Sequence, residues 1–265
     1  MEKKLDISVI SPVFNELENL ETFVESVTAV MNSTNMSWEL IIVDDGSNDG
    51  SSKILKKIGH QENIRSILLS KNYGQTTAIQ AGFDNAVGEY FVTLDSDLQN
   101  DPKDIPMLIQ KLMNEELDLV VGWRKDRKDN YFFRNLPSIL ANKLIGTITG
   151  VRLHDYGCSL KAYRAEVLKE VKLYGEMHRF IPAWMATKIP ASKISEIEVT
   201  HHPRIAGESK YGISRTFRVF VDLISVYFFM RFFSRPGHFF GLVGLLLSSL
   251  GALILIYLIS LKLLY

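Results

Sequence analysis

Two aspartates, Asp95 and Asp97, stand two residues apart directly after the apolar run of residues 90–94. This run is rich in aromatic and β-branched residues and predicts a strand, so both carboxylates follow its end and can face one cation together. Oxygen ligands of this kind suit Mg²⁺ or Mn²⁺, which keep several waters and complete their shell with the phosphates of a substrate. The pair is therefore a candidate metal site for a nucleotide diphosphate. A turn with two solvated carboxylates is the alternative.

The chain around this pair alternates apolar, β-rich runs with segments of helical periodicity. Strands are predicted at residues 7–10, 39–43, 64–69, 90–94 and 117–121, and helices at 16–31, 51–58, 75–87 and 102–113. This alternation predicts an α/β fold with a mostly parallel sheet covered by helices on both faces. Such sheets bind ligands beyond the carboxyl ends of their strands. Asp44, Asp45 and Asn72 also follow predicted strands, so we expect them at the same edge as Asp95 and Asp97.

Charge and cysteine content narrow the class of protein. The 30 basic and 30 acidic residues cancel, so we expect no nucleic-acid partner. The single cysteine, Cys158, excludes an intramolecular disulfide framework and is consistent with a reducing compartment. Its spacing to the histidines does not match a zinc site, and we expect its thiol to be buried. We expect no cleaved signal peptide, because no apolar segment follows the charged start.

Residues 239–261 form an uncharged, leucine-rich run of 23 residues. As a helix this run would be about 34 Å long, which exceeds the ~30 Å hydrocarbon core of a bilayer. It therefore predicts a membrane span, and a buried core helix is the alternative. Arg231 and Arg235 precede the run and only Lys262 follows it, so the positive-inside rule predicts that the large N-terminal part lies in the cytoplasm.

Residues 213–233 mix arginines with many aromatic and aliphatic residues. This pattern predicts an amphipathic helix at the membrane interface, and a helix packed on the main domain is the alternative. Pro236-Gly237 is predicted to break the chain before the span. We therefore expect a catalytic domain over residues 1–212, a juxtamembrane region over 213–235 and a transmembrane helix over 236–265.

Seven motifs follow one another in the chain. They are Ser11-Pro-Val-Phe-Asn-Glu16, Ile41-Ile-Val-Asp-Asp-Gly-Ser47, Asn72-Tyr-Gly74, Leu94-Asp-Ser-Asp-Leu-Gln99, Val121-Gly-Trp-Arg124, Asp155-Tyr-Gly-Cys-Ser-Leu-Lys-Ala-Tyr-Arg164 and Pro203-Arg-Ile-Ala-Gly-Glu-Ser-Lys-Tyr-Gly212. In this order they resemble family 2 glycosyltransferases with the GT-A fold, and within them the polyprenyl-phosphate glycosyltransferase group. The resemblance covers about residues 5–235. It implies a Rossmann-like sheet followed by interfacial helices and a C-terminal transmembrane helix.

The resemblance also implies a site for the donor nucleotide. Its residues would be Pro12, Phe14, Glu16, Asp44, Asp45, Asn72 and Asp95. The first two would offer an apolar edge to the base, or else pack against the first helix. The carboxylates would accept hydrogen bonds from the base or ribose, although Asp45-Gly46-Ser47 also fits a turn and helix cap. The metal, Mg²⁺ or Mn²⁺, would be held by Asp95, Asp97 and Gln99.

A phosphate acceptor has requirements that differ from those of a hydroxyl acceptor. Its second pKa is about 6, so at neutral pH it is already a nucleophile and needs cations more than it needs a base. The predicted phosphate-binding residues are Arg124, Arg127, Arg204, Ser209 and Lys210, with a solvated loop as the alternative for Arg127. The resemblance places Asp155 near the anomeric carbon, and Asp155 and Asp97 are the predicted catalytic residues. A turn beside Gly157 is the alternative for Asp155.

The resemblance implies metal-dependent, inverting transfer of a sugar from a UDP- or GDP-sugar to undecaprenyl or dolichyl phosphate. The reaction would take place on the cytoplasmic face of a cell inner (or ER-type) membrane. A membrane-anchored family 2 glycosyltransferase with a soluble or glycan acceptor is the alternative. A homo-oligomer is left open.

Overall fold

The computed structural model of the chain describes residues 5–125, 145–147, 150–169, 171–173, 175–203, 227–228, 232 and 235–264. It divides into two compact units, Met1–Thr216 and Phe217–Tyr265. The first contains the sheet, and the second contains the apolar C-terminal helix. The predicted three-part division at residues 212 and 235 stays a prediction.

The described strands and helices alternate over the first half of the chain. The strands are β1 Ile7–Val13, β2 Trp38–Asp44, β3 Ile64–Leu68, β4 Tyr90–Thr93, β5 Leu119–Trp123, β6 Lys161–Arg164 and β7 Ile194–Glu198. The α-helices are α1 Leu17–Asn32, α2 Ser51–Ile58, α3 Gln75–Asn85, α4 Ile105–Asn114, α5 Ala165–Leu168, α6 Ile181–Met185 and α7 Pro236–Leu264. Short 3₁₀ turns cover Pro102–Asp104, Met177–Phe180 and Ala191–Lys193.

In the described residues the seven strands form one sheet in the order β3-β2-β1-β4-β6-β5-β7. All neighbouring strands are parallel except β6, which pairs antiparallel with both β4 and β5. The predicted mostly parallel sheet is confirmed, whereas β6 and β7 were not predicted. Since β6 runs in the opposite direction, its first residue, Lys161, lies opposite Thr93 of β4 and Val121 of β5. The start of β6 therefore lies at the edge where the parallel strands end.

Helices cover both faces of the sheet, as predicted. On one face, α1 and α4 contribute to an apolar core that includes Phe23, Val92 and Leu108. On the other face, α3 packs against β1, and its Phe83 ring stacks on Phe91 of β4 at a centroid distance of 5.9 Å. Because neighbouring residues of a strand point to opposite faces, β4 supplies Tyr90 and Val92 to the first core and Phe91 to the contact with α3. Both faces of β1 and β2 are buried along their whole length.

Several boundaries differ from the sequence prediction. Strand β1 continues three residues beyond the predicted end, because residues 11–13 still pair with β2. The predicted helix over 102–113 begins as a 3₁₀ turn and becomes α4 only at Ile105. Strand β5 is displaced by two residues toward the C-terminus relative to the predicted 117–121. This displacement brings Trp123 into the strand and places Arg124 directly after it.

The second unit contains the predicted apolar helix. Within Pro236–Leu263, an 18-residue stretch has a mean hydropathy of 2.6 and no buried residues, and by length and composition the helix is a candidate membrane span. The predicted break at Pro236-Gly237 is wrong, since these residues form the first turn of α7. Proline fits there because the first helical N–H has no intrahelical partner. The rings of Phe228 and Phe239 meet at 5.1 Å beside this end. Most of the predicted interfacial helix at 213–233 lies outside the described residues.

Candidate active site

Hydrogen bonds join the loops that follow β1 and β2. The Asn15 amide donates to Ser47 Oγ over 2.9 Å, and the Asn48 amide donates to Asn15 Oδ1 over the same distance. Asn15 adopts a positive φ of 55°, a conformation that asparagine tolerates better than most residues. The Asp45 amide donates to the Val13 carbonyl over 2.8 Å. These contacts hold the loops after β1 and β2 together at the edge of the sheet.

Three predicted donor-site residues lie at the end of β1 or in the loop that follows it. Pro12 is buried within β1, opposite Val43 of β2. Phe14 is partly exposed just past the strand and can still present its ring to a base. The Glu16 carboxylate accepts a hydrogen bond of 2.8 Å from Asn19 Nδ2 at the start of α1. Their roles in binding a nucleotide stay predictions.

Asp44, the last residue of β2, and Asp45, which follows it, both hold neighbouring loop backbone in place. The buried Asp44 carboxylate accepts from the Ser47 amide over 3.0 Å and from the Ser52 hydroxyl. The Asp45 carboxylate accepts from the Tyr73 and Gly74 amides over 2.7 and 2.9 Å. It thereby ties the loop after β2 to the loop that precedes α3. The structure thus supports a loop-holding role for both residues beside their predicted role with the nucleotide.

The loop after β3 passes close to Gly46. Gly46 has a φ of 71°, and a Cβ there would lie 2.6 Å from the Asn72 amide nitrogen. Only glycine fits this approach. Asn72 itself is exposed at the edge, where the predicted donor site needs it.

Asp95 and Asp97 lie directly beyond β4. Asp95 Oδ1 accepts from Gln75 Nε2 of α3 over 2.8 Å, and Asp97 Oδ1 accepts from the Gln99 amide over 3.2 Å. Burial, followed by repulsion from Asp97, raises the pKa of Asp95 to about 6. The positive charges of Lys161 and Arg124 act on Asp95 in the opposite sense and do not outweigh burial and the repulsion from Asp97.

This arrangement fits a divalent cation. Mg²⁺ and Mn²⁺ sites for nucleotides use one or two carboxylates, with substrate phosphates and water as the other ligands. The unfavourable charge between Asp95 and Asp97 is what such a cation would relieve. Gln99 lies two residues beyond Asp97 and is partly exposed, so its side chain can complete the predicted set.

Arg124 and Asp155 form a buried ion pair at the end of β5. Arg124 Nε lies 2.6 Å from Asp155 Oδ2, and its Nη2 lies 3.0 Å from Oδ1. Their side chains are 12% and 9% exposed. Burial opposes the charge of Arg124, but the hydrogen bonds and charge of Asp155 outweigh it and raise the pKa of Arg124. Asp155 Oδ1 also accepts from the Gly157 amide over 3.1 Å, so the predicted turn is present as well.

A second contact joins the same two segments. The rings of Trp123 and His154 stack at a centroid distance of 4.2 Å and an angle of 18°. On the edge strand β7, Glu196 accepts from the His154 amide over 2.8 Å and pairs with its Nδ1. Glu198 pairs with Lys125 over 2.6 Å. We call the Trp123–His154–Glu196 set the aromatic clasp; it fixes the residues that immediately precede Arg124 and Asp155.

Lys161 is a functional candidate that the sequence analysis missed. It is 3% exposed, and its Nζ donates to the Cys158 carbonyl. Burial lowers the pKa of Lys161, while the charges of Asp155 and Asp95 oppose this effect. The Cys158 thiol is buried as predicted, and burial raises its pKa to about 11. The available signal was a lone lysine between the apolar Leu160 and Ala162, which became informative only once β6 was known.

A histidine and an arginine from Met177–Phe180 also approach this region. His178 Nδ1 lies 2.6 Å from Thr76 Oγ1 in the first turn of α3, and Arg179 Nε donates to His178 Nε2 over 3.3 Å. Burial, followed by the charges of Arg179 and Lys161, lowers the pKa of His178 to about 3. The imidazole is therefore neutral at physiological pH. Neither residue was singled out from the sequence.

Four of the predicted acceptor residues lie outside the described residues. They are Arg127, Arg204, Ser209 and Lys210. Arg124 is described and pairs with Asp155, and its predicted role in binding the acceptor phosphate stays a prediction.

The carboxylate pair beyond β4 and the tied loops beyond β1–β3 lie at one edge of the mostly parallel sheet, and this edge is the candidate active site. The sequence model of glycosyl transferase family 2 matches residues 8–172. The chain belongs to this family, and the predicted family, fold and enzyme class are confirmed.

Two relatives extend the match to nearly the whole chain. The chain is 57% identical over 258 residues to a dodecaprenyl-phosphate galacturonate synthase of Rhizobium johnstonii, with 97% of this chain and 76% of that protein covered. It is 36% identical over 259 residues to an undecaprenyl-phosphate 4-deoxy-4-formamido-L-arabinose transferase of Aeromonas hydrophila, with 97% and 77% covered.

Solved structures share the fold. A glucosyl-3-phosphoglycerate synthase from Mycobacterium tuberculosis in complex with UDP superposes with a TM-score of 0.65 at 20% identity, covering 84% of this chain and 80% of that one. The same synthase with Mn²⁺, UDP-glucose and phosphoglyceric acid gives 0.63 at 18% identity, with the same coverage. At this identity the likeness shows the GT-A-like fold alone.

Proposed function

We propose that this chain transfers a sugar from a nucleotide-diphosphate sugar to the phosphate of a polyprenyl lipid. The observation that carries the proposal is the ion pair between Asp155 and Arg124. Asp155 is the carboxylate predicted to lie near the anomeric carbon, and two N–H groups of a guanidinium hold it. A carboxylate held in this way is a poor general base, which suits an acceptor that needs none. A phosphate monoester is such an acceptor.

The bond changes are those of a single displacement. A phosphate oxygen of the lipid forms a bond to the anomeric carbon while the bond from that carbon to the nucleotide diphosphate breaks. Attack from the face opposite the leaving group inverts the anomeric carbon, so an α-linked donor gives a β-linked lipid-phosphate sugar. Asp155 is close enough, on this proposal, to stabilise the positive charge that develops on the sugar ring.

Asp95 and Asp97, with Gln99, would hold Mg²⁺ or Mn²⁺. When bound, the cation offsets the negative charge of the departing nucleotide diphosphate. The residues of the chain do the rest of the positioning. Asp45 fixes the loop in front of α3 through the Tyr73 and Gly74 amides. Phe14 would border the base.

The donor we favour is a uridine-diphosphate uronic acid. The name of the relative at 57% identity specifies galacturonate, and the arabinose-derivative transferases are 36–38% identical. Uridine is supported by the UDP complexes of the fold neighbours. Dodecaprenyl and undecaprenyl phosphate are the acceptors named for the relatives.

We place the reaction at the cytoplasmic face of a bacterial inner membrane. Support comes from the candidate span Pro236–Leu263 and from the arginines before it, which the positive-inside rule assigns to the cytoplasm. A water-soluble catalytic unit could then reach a lipid phosphate that remains in the headgroup layer.

Labelled donor and lipid acceptor test the proposal directly. The full chain in detergent or vesicles is incubated with UDP-galacturonate, UDP-galactose or UDP-glucose, with Mn²⁺ and undecaprenyl phosphate. We expect the sugar label in the organic phase, with an anomeric configuration opposite to that of the donor. Glycerate and oligosaccharide acceptors form the comparison arm. Label that appears only on a water-soluble acceptor would contradict the lipid proposal.

A further inference from the structure

Asn100 joins two segments of the site that are far apart in the chain. It directly follows Gln99 of the predicted metal set and is buried. Its Nδ2 donates to Ser159 Oγ over 2.8 Å, and its Oδ1 accepts from the Cys158 thiol over 3.8 Å. Both ends of one buried amide therefore contact the segment that leads from Asp155 to β6.

Ser159 is held by β4 as well as by Asn100. Thr93 Oγ1 donates to the Ser159 carbonyl over 2.7 Å. Burial is the main cause of the raised pKa of Asp95, and a hydrogen bond from the Ser159 side chain opposes it. Because a hydroxyl can accept one hydrogen bond and donate its own proton to another group, Ser159 connects Asn100 to Asp95. The two ends of the loop over residues 95–100 are thus joined through one side chain.

The backbone of this loop depends on contacts from other segments. Leu98 adopts a positive φ of 58°, which costs free energy in a residue other than glycine and persists only where surrounding contacts hold it. Its side chain packs against the apolar core. The Gln99 carbonyl accepts from the His202 amide over 2.7 Å, and Asn100 pairs with His201 in an antiparallel bridge. Core packing, this bridge and the Asn100 side chain therefore hold a conformation that the local sequence does not favour.

We propose that Asn100 is a positioning residue for the predicted metal-binding carboxylates. Through Ser159 it keeps Asp95 and Asp97 at the spacing that one divalent cation needs. It also fixes this pair against the segment that carries Asp155. Residues that hold metal ligands in place typically change metal affinity or activity about 10- to 100-fold when they are replaced. The inference rests on the proposed function for the reaction that this geometry serves.

Titration with Mn²⁺ tests the inference without an acceptor. Wild type, Asn100→Ala, Ser159→Ala and the double variant are titrated by calorimetry at a temperature at which circular dichroism shows each to be folded. We expect each single variant to bind Mn²⁺ about tenfold more weakly than wild type. The double variant should bind at most about twofold more weakly than Asn100→Ala, because both changes break the same connection to Asp95.

Ser8→Ala is the matched control for Ser159→Ala. The hydroxyl of the buried Ser8 also makes two hydrogen bonds, since it donates to Glu39 Oε1 over 2.6 Å and accepts from the Gly88 amide over 2.9 Å. Ser8 is the second residue of β1 and lies at the edge of the sheet opposite the site. We expect Ser8→Ala to lower the melting temperature and to leave the affinity for Mn²⁺ within about twofold of wild type.

Transfer kinetics test whether the cation is also held in place relative to Asp155. With saturating Mn²⁺ and UDP-galacturonate, we expect kcat of Asn100→Ala for transfer to undecaprenyl phosphate to stay about tenfold below that of wild type. The KM for the lipid should stay within about twofold, because Asn100 contacts no predicted acceptor residue among those that the structure describes. A merely structural role would lower the melting temperature and leave the constants of the folded protein unchanged.

Unchanged Mn²⁺ affinity in folded Asn100→Ala and Ser159→Ala would overturn the inference. It would also be overturned by fully additive losses in the double variant, or by a kcat of Asn100→Ala that returns to the wild-type value at saturating Mn²⁺. If wild type moves no sugar to undecaprenyl phosphate while the Mn²⁺ affinities follow the expected pattern, the proposed function fails and the positioning of the carboxylates by Asn100 stands.

Discussion

Asp95 and Asp155 lie at the same edge of one sheet, yet their surroundings differ in charge. Asp95 accepts from the amide of Gln75 and faces the like-charged Asp97. Asp155 is held through two contacts by the guanidinium of Arg124. Burial, followed by the like charge of Asp97, keeps the pKa of Asp95 high, whereas the ion pair with Arg124 compensates the charge of Asp155.

The difference indicates that the same type of side chain has a different role at positions 95 and 155. A buried carboxylate beside a like charge gains most from an incoming cation, so the predicted metal-binding group lies in the parallel half of the sheet. A carboxylate already paired gains little from one, and its value lies in being held still. The segment that joins β5 to β6 therefore supplies the positioned group.

The largest expected effect on sugar transfer comes from a change in the Asp95–Asp97 pair. Asp97→Asn removes one negative oxygen from the predicted metal site and leaves the diphosphate charge unbalanced. We expect sugar transfer to fall about a thousandfold, in line with the several kcal/mol that a bound cation supplies, together with a loss of Mn²⁺ binding. Calorimetric titration with Mn²⁺ and the lipid-transfer assay measure the two. Asp101→Asn is the control, because Asp101 caps the turn at Pro102–Asp104 and should leave activity within twofold. If Asp97→Asn turns over at nearly the wild-type rate in excess chelator, the assignment of Asp97 as a metal ligand is wrong.

Disrupting the Arg124–Asp155 pair should lower the stability of the fold as well as the rate of sugar transfer. Arg124→Met leaves Asp155 buried without its cation, which costs about 3–5 kcal/mol in comparable cases. We expect a lower melting temperature and little transfer. Asp155→Asn in the same background should restore part of the stability but none of the activity. Additive losses in the double variant would show that the two side chains are not coupled.

The parts of the site at the ends of parallel strands were predictable from the sequence. Asp44, Asp45, Asn72 and the Asp95–Asp97 pair follow apolar runs, and parallel topology alone brings such ends together. The GT-A order of motifs then gave the family. Asp155 came from the resemblance, and its partner Arg124 was expected to bind the acceptor instead.

The missed residues depend on long-range contacts. A buried lysine at position 161 contradicts the apolar pattern of a strand and is tolerated only because tertiary structure places carboxylates around it. His178 and Thr76 meet across 102 residues, and nothing in either local sequence indicates a partner. The antiparallel direction of β6 is likewise set by its neighbours rather than by its four residues.

The aromatic clasp offers a milder way to disturb the positioned carboxylate. Glu196→Ala removes both contacts to His154, while Glu198→Ala on the same strand removes only the exposed pair with Lys125. We expect Glu196→Ala to lower kcat about tenfold with little change in KM for the donor, because Asp155 loses its orientation but the nucleotide site is intact. Glu198→Ala should change either constant less than twofold, as exposed ion pairs contribute about 0–1 kcal/mol. Equal effects of both variants would indicate that β7 acts only through stability.

The smallest expected effect concerns the neutral imidazole of His178. The pKa of His178 is lowered to about 3 in the folded chain, against about 6.5 when unfolded. Between these values the unfolded chain binds the extra proton, so the stability that neutral His178 contributes is complete above pH 6.5 and declines as the pH falls. The slope is at most about 1.4 kcal/mol per pH unit. His178→Gln keeps hydrogen-bonding groups without titrating, so its melting temperature should fall less than that of wild type between pH 7 and pH 5. Arg124 keeps its charge throughout this range. Because the two proteins differ only at His178, the difference between their melting curves reports the titration of His178. Parallel melting curves for wild type and His178→Gln would show that His178 does not remain neutral in the folded protein.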